Sequence, residues 1–139
     1  MGIIPYLCGM LYLKTPTAEL TTPMIRTIVC ETIRWCETNL GTKKKGIKYS
    51  VRTLPAGYTP AYGMYDFEKN TIMVFRNYSP TVKCVIRAVL HEYTHYLQNL
   101  RWYNHTLAKV GYMKHPQERQ ARVMEELYSQ CWGEIKGKF

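Results

Sequence analysis

The chain has 139 residues, of which 46% are hydrophobic and 21% are charged. This composition excludes a disordered or low-complexity protein and predicts one domain across residues 1–139. No apolar run reaches the roughly 20 residues of a membrane-spanning helix, so we expect no membrane partner. The 19 Lys and Arg outnumber the 10 Asp and Glu, for a formal charge of +9. Such a surface suits an anionic partner such as nucleic acid, or serves solubility alone.

The five cysteines are scattered and never form a C-x-x-C pair. This pattern argues against a disulfide framework or a cysteine-rich zinc knuckle, and reduced thiols favour a cytoplasmic protein. The first residues, "MGIIPYLCGMLYL", are apolar but are broken by Pro5 and lack both a basic start and a cleavage site. We therefore interpret them as an extended core segment rather than a signal peptide.

The first predicted helix has Thr22 as its N-cap, Pro23 at its first position and Gly41 as its end. Its apolar residues recur at helical spacing: Ile25, Ile28, Val29, Ile33, Cys36 and Leu40. The next segment, "IKYSVRTL", alternates as a half-buried strand does. A hairpin is then predicted from "AYGMYD", the turn "FEKN" and the strand "TIMVF".

A second long helix is predicted to open at Ser79 and Pro80 and to run to about Leu100, because no Gly or Pro interrupts it. A final helix begins near Pro116 and continues through "QERQARVMEELYSQCWGEIK". The order of helix, strands, helix and helix predicts an α+β protein. We expect an N-terminal helix, a small and mostly antiparallel sheet, and two C-terminal helices.

The second predicted helix contains "HEYTH", which places His91 and His95 one turn apart. At about 100° per residue the two imidazoles lie within roughly 40° of each other and can bind one metal ion. Glu92 lies beside that face, where a carboxylate can take a proton from metal-bound water. The opposite face is apolar and is expected to pack against the sheet: Val82, Ile86, Val89, Tyr93, Tyr96 and Leu100.

A third protein ligand is needed for a catalytic zinc site. A third histidine six residues after His95 would fall at Arg101, which excludes that type of site. Glu118 lies in the first turn of the final helix, 23 residues after His95, and is the first candidate. His115 is the other candidate, unless it caps that helix. The small Ala121 would let the helix lie close to the histidines.

The combination of HEYTH with a helical glutamate in an E-x-x-A setting resembles the gluzincin zinc metallopeptidases. The similarity is greatest to the single-domain minigluzincins and the ImmA/IrrE-type peptidases, and it covers about Tyr58 to Glu126. It implies a zincin-like fold and a zinc-dependent endopeptidase. His91, His95 and Glu118 would then bind zinc, and Glu92 would activate a zinc-bound water that hydrolyses peptide bonds.

The thermolysin branch of that family has an aspartate four residues after the ligand glutamate, and this chain has Arg122 there. The group that orients His91 is therefore left open. An oxyanion-stabilising donor is expected opposite the base, with Tyr112 as the first choice and Tyr103 and His105 as alternatives. All three are expected in a loop. Cys84 shares the face of His91 but lies about 10 Å away along the helix axis, too far to bind the same ion.

In the predicted hairpin the second strand is the more apolar and should be the inner one. This leaves Ala61, Tyr62, Gly63 and Met64 at the sheet edge, where a peptide substrate can add as a further strand. Gly63 would let the substrate backbone come close, although a bend or bulge at Gly63 is the alternative.

Two other classes of function are compatible with the same motif. One is a non-enzymatic zinc-stabilised binding module, in which His115 closes the site as a fourth protein ligand. The other is a protease that acts on DNA-bound proteins, as the SprT-like proteases do. That family uses a third histidine that this chain lacks, and the basic residues form no aromatic-interleaved stripe. The expected partner is a peptide or protein substrate, and any inhibitory segment or partner is left open.

Overall fold

The computed structural model describes residues 11–139, so Cys8 and most of the expected N-terminal extended segment lie outside the described residues. Within that range the chain forms five α-helices and a three-stranded sheet, which confirms the α+β class. The helices are α1 (Thr22–Leu40), α2 (Val82–Leu97), α3 (Tyr103–Val110), α4 (Pro116–Met124) and α5 (Tyr128–Ile135). The strands are β1 (Lys48–Arg52), β2 (Gly63–Asp66) and β3 (Thr71–Phe75).

Helix α1 starts one residue earlier than predicted. Its N-cap is Thr21, not Thr22, because the Thr21 side chain accepts a hydrogen bond from the Met24 amide. Gly41 ends the helix with φ 92°, a conformation that glycine adopts without steric cost. Leu40, at the end of the predicted apolar face, is partly buried against the core, and the rest of that face is buried in it: Ile25, Ile28, Val29, Ile33 and Cys36.

The sheet has the strand order β1-β3-β2, with β3 in the middle and β2 at an edge, as the hairpin pattern predicted. The expectation of a mostly antiparallel sheet is wrong, because β1 pairs with β3 in the parallel direction and only β2 pairs antiparallel. A hairpin turn reverses the chain between β2 and β3, whereas the long connection after β1 lets β1 and β3 run the same way. Ile72 and Val74 of β3 are fully buried beneath α2.

Helix α2 lies at the centre of the fold, where it packs against α1, the sheet and α4. It begins after Thr81, whose side chain accepts a hydrogen bond from the Cys84 amide, rather than at Ser79 and Pro80. It ends at Leu97, so Leu100 lies beyond the helix. The rest of the predicted apolar face is buried: Val82, Ile86, Val89, Tyr93 and Tyr96.

The C-terminal third differs from the prediction in two places. The segment expected as a loop contains α3, which ends at Gly111 with φ 78°. The predicted final helix is divided by a 3-10 turn at Glu125–Leu127, so that α4 and α5 are separate elements. This division lets α4 face α2 while α5 adds Cys131, Trp132 and Ile135 to the core beside α1. Among residues 11–139, no helix combines the length and apolar character that crossing a bilayer requires.

Candidate metal centre

The two motif histidines direct their Nε2 atoms toward one carboxylate. The Nε2 atom of His91 lies 2.9 Å from Oε1 of Glu118, and the Nε2 atom of His95 lies 3.1 Å from Oε2. The i, i+4 spacing on α2 supplies the two imidazoles, and the first turn of α4 supplies the carboxylate. All three side chains are buried. The structure therefore brings together the three residues that the sequence nominated as ligands.

Glu92 belongs to the same buried group. One ligand atom each from His91, Glu92 and His95 lie within 4.8 Å of one another, and this group could hold a metal ion. The carboxylates of Glu92 and Glu118 are thus both near the imidazoles, but they differ in their hydrogen bonds. Glu118 contacts both Nε2 atoms, whereas the described hydrogen bonds join Glu92 to neither imidazole. This geometry favours Glu118 as the third ligand and leaves the Glu92 carboxylate available for proton transfer.

The other nitrogen of each imidazole is held by an acceptor. The Nδ1 atom of His91 donates to Oε2 of Glu125 at 2.7 Å, and the Nδ1 atom of His95 donates to Oε1 of Gln98 at 2.8 Å. Such bonds fix the ring orientation and the tautomer that presents Nε2 to a metal. Glu125 in turn contacts Arg87 at 3.0 Å. Both histidines are therefore oriented for binding on one side.

Glu125 and Gln98 were not identified from the sequence. Glu125 is the group that orients His91, which the sequence analysis left open, whereas the Arg122 guanidinium bonds the Met113 carbonyl. Seven residues separate Glu118 from Glu125, which is two helical turns, so a search along the same face would have found it. Gln98 is three residues after His95, and a search of the adjacent turn would likewise have found it.

The charges of the site favour a cation. Burial favours the neutral imidazole, but hydrogen bonds to Glu118 and Glu125 outweigh it and raise the pKa of His91 to about 10. The pKa of His95 is also raised, because Glu118 and Glu92 outweigh its burial. Burial would raise the pKa of Glu118, but its bonds to both histidines and Tyr103 hold that pKa well below the usual range. The carboxylate stays ionised, and a metal ion would replace the imidazole protons.

Glu92 lies beneath the edge strand. Burial raises the pKa of its carboxyl above the usual value, although the charges of His91 and His95 and a hydrogen bond from the Tyr65 backbone act in the opposite direction. A Cβ atom placed on Gly63 would lie 3.6 Å from Cγ of Glu92 and 2.7 Å from the Met73 carbonyl oxygen. Glycine is therefore required by close packing at this position. The pairing of β2 with β3 is continuous from Gly63 to Asp66, so the alternative of a bulge at Gly63 is wrong.

Two of the three candidate oxyanion donors lie in the site. The Tyr103 hydroxyl donates to Oε2 of Glu118, and the Tyr112 ring lies beside Arg122 with 5.4 Å to its Cζ atom. Burial, the charge of Glu118 and a hydrogen bond to that carboxylate raise the pKa of Tyr112 to about 12, so its hydroxyl is a donor at neutral pH. His105 is on α3, contacts Trp102, and is absent from the described lining of the cleft.

His115 has a structural role that occupies both of its ring nitrogens. Its Nδ1 atom accepts a hydrogen bond from the Gln117 amide and so caps α4, while Nε2 donates to the Tyr103 carbonyl at 3.0 Å. The ring also stacks on Tyr103. No nitrogen is left to bind a metal, so the geometry does not support His115 as a fourth ligand.

Cys84 lies in the first turn of α2 beside Thr81, away from the histidines.

A cleft of about 920 Å³ opens over the four site residues on α2 and α4. One wall is formed by residues 59–65, which include most of β2, together with Phe67, and the other by Tyr103, Asn104 and Tyr112. The residues predicted to form the substrate edge all line this cleft: Ala61, Tyr62, Gly63 and Met64.

Comparisons of the chain with protein-family models, with curated proteins and with solved structures found no match.

Proposed function

We propose that the chain is a zinc-dependent metallopeptidase in which His91, His95 and Glu118 hold the metal and Glu92 is the general base. The convergence of both Nε2 atoms on the Glu118 carboxylate, with each Nδ1 atom held from behind, carries this proposal. Two imidazoles and one carboxylate are the donor set of catalytic zinc sites in hydrolases. An open cleft beside the donors leaves room for a substrate.

The residues around the donors supply the rest of hydrolysis. Zinc with three protein ligands lowers the pKa of a coordinated water to about 7 and polarises a carbonyl. Glu92 is a carboxylate whose pKa is raised by burial, which makes it a better base and later a proton donor to the departing amine. The Tyr112 hydroxyl faces the same cleft and can donate to the carbonyl oxygen as negative charge develops there.

The edge of β2 favours a peptide as the substrate. The Phe75 amide donates to the Tyr62 carbonyl, so in this antiparallel pair Tyr62 directs its polar backbone group to β3. By alternation, the backbone groups of Gly63 and Tyr65 point away from β3. The Tyr65 amide already bonds Glu92, so Tyr65 offers a substrate its carbonyl oxygen. A peptide added there would gain main-chain hydrogen bonds without a demand for particular side chains. Gly63, beside which it would lie, packs next to Glu92.

The test combines metal analysis with digestion of a quenched-fluorescent peptide library. We expect one zinc per chain, and we expect Glu92→Gln to keep the zinc and lose turnover by at least about a hundredfold. Glu126→Gln is the matched control, because it removes an exposed glutamate outside the cleft and should leave turnover unchanged. Full activity of zinc-loaded Glu92→Gln would refute the mechanism, and a pure protein that cleaves no peptide would refute the function.

A further inference from the structure

Arg122 is placed one turn after Glu118 on α4 and lines the cleft. Its Nη2 atom donates to the Met113 carbonyl at 2.6 Å. Its Nη1 atom is buried and has no hydrogen-bond partner among residues 11–139. Buried donors are nearly always paired in folded proteins, and an unpaired donor on a charged group is particularly unfavourable. The Nη1 atom of Arg122 is therefore a donor that an acceptor on a ligand could satisfy.

The ion pairs of the described chain leave this charge without a carboxylate. Arg87, near the same site, contacts both Glu125 and Glu126, whereas the ion pairs within residues 11–139 include none to Arg122. The contact on its face is the ring of Tyr112, which is 49% exposed and lies on the short segment between α3 and α4. A small movement of this ring would open the guanidinium to a ligand in the cleft.

We propose that Arg122 binds a carboxylate group of the substrate, which gives the cleft a preference for peptides with an acidic group near the bond to be cut. The inference rests on the proposed peptidase function. A guanidinium presents a planar fork that matches a carboxylate with two parallel hydrogen bonds. Four residues along a helix are about 6 Å, so a carboxylate at Arg122 would lie one or two residues along the peptide from a bond held at the metal site beside Glu118.

The carboxylate has two sources, an acidic side chain or the free C-terminus of a short peptide. The probes are therefore an acetylated and amidated hexapeptide of alanine and leucine, six versions with one glutamate at successive positions, and one version with a free C-terminus. Binding to zinc-loaded Glu92→Gln protein is measured by calorimetry at fixed salt. We expect at least one carboxylate peptide to bind about tenfold more tightly than the neutral peptide. The position that gains affinity identifies the source.

Arg122→Gln in the same background should remove this gain while the neutral peptide still binds. Arg119→Gln is the matched control, because it removes an exposed charge from the same helix and should keep the gain. Arg122→Lys, which keeps the charge but not the fork, should retain part of the gain and replaces the first variant if that variant fails a thermal-unfolding check. Equal binding of all peptides, or equal loss of the gain with Arg119→Gln, would overturn the proposal.

The two proposals fail in different ways. If the wild-type protein cleaves no peptide but carboxylate peptides bind through Arg122, the peptidase function is wrong and the carboxylate site stands. If the wild-type protein cleaves peptides and Arg122→Gln changes neither binding nor the preference among the probes, the carboxylate site is wrong and the peptidase function stands.

Discussion

Glu125 accepts a hydrogen bond of 2.7 Å from the Nδ1 atom of His91, across from the side on which Glu118 contacts Nε2. An acceptor in this place holds the imidazole ring in the orientation for metal binding and makes it a stronger ligand. The acceptor is thus supplied by the 3-10 turn after α4, and Arg122, which the sequence offers four residues after Glu118, is not needed for it. It also gives the first prediction.

Glu125→Gln should lower the affinity for zinc by about tenfold to a hundredfold, because the amide is a weaker and uncharged acceptor. Competition against a chromophoric zinc chelator measures this affinity. The matched control is Glu126→Gln, which changes the neighbouring glutamate that contacts Arg87 but not His91. Equal affinities for the two variants would show that Glu125 does not act through His91.

The proposed ligand set makes a second prediction. His91→Ala, His95→Ala and Glu118→Ala should each lose stoichiometric zinc, as measured by plasma emission after gel filtration. His115→Ala should keep zinc but lower the free energy of unfolding by about 1–2 kcal/mol, because α4 loses its cap. A folded His115→Ala protein without zinc would favour the non-enzymatic module in which this histidine is a ligand.

A third prediction concerns the strand-addition mode of substrate binding. N-methylation of a single backbone amide in a cleaved peptide removes one donor to the edge of β2. At alternate positions, whose amides face Gly63 and Tyr65, methylation should raise KM by about tenfold, since one hydrogen bond of the added strand is lost. At the positions between them it should have a smaller effect. A KM that is indifferent to position would contradict binding along this strand.

The pH dependence of metal binding is the fourth prediction. In the metal-free protein the pKa of His91 is raised to about 10, so its imidazole is cationic at neutral pH, and the raised pKa of His95 means that it holds its second proton more tightly than a free imidazole does. Zinc needs the lone pairs, so its binding releases these protons. The affinity should therefore rise from pH 6.5 to pH 8.5, by roughly tenfold per pH unit for each proton released. A flat profile in chelator competition would show that the imidazoles are already neutral.

The raised pKa of His91 also affects the stability of the metal-free protein. This stability should fall as pH rises, whereas the affinity for zinc should rise. A raised folded-state pKa adds stability that is complete below the ordinary value of 6.5 and is lost as pH rises toward about 10. Urea unfolding in the presence of a chelator should give a lower midpoint at pH 9 than at pH 6. His91→Gln should make the urea midpoint less dependent on pH. An unchanged pH dependence in the variant would show that other groups cause it.

Local spacing was sufficient for the elements with regular apolar patterns. The α1 face, the inner position of β3 and the shared face of His91 and His95 all follow from periodicities within one segment or one hairpin. The errors arose where neighbouring elements intervene. The helix at Tyr103–Val110 and the 3-10 turn at Glu125–Leu127 have no strong local signal. The 3-10 turn packs against α2 and α5, and the helix is tied to the site by the hydrogen bonds of Tyr103 with Glu118 and His115.

The pair of histidines on one helical face, with Glu92 beside them, was inherent in the amino-acid order, because a helix sets the distance between residues four apart. The capping role of His115 was also local, since its cap bond joins it to the Gln117 amide two residues on. The approach of Glu118 and the acceptor at Glu125 were decided by packing, because these residues belong to α4 and the turn after it. Their distance from α2 depends on contacts between elements far apart in sequence. The parallel pairing of β1 has the same origin, since strand direction depends on the course of the connecting chain.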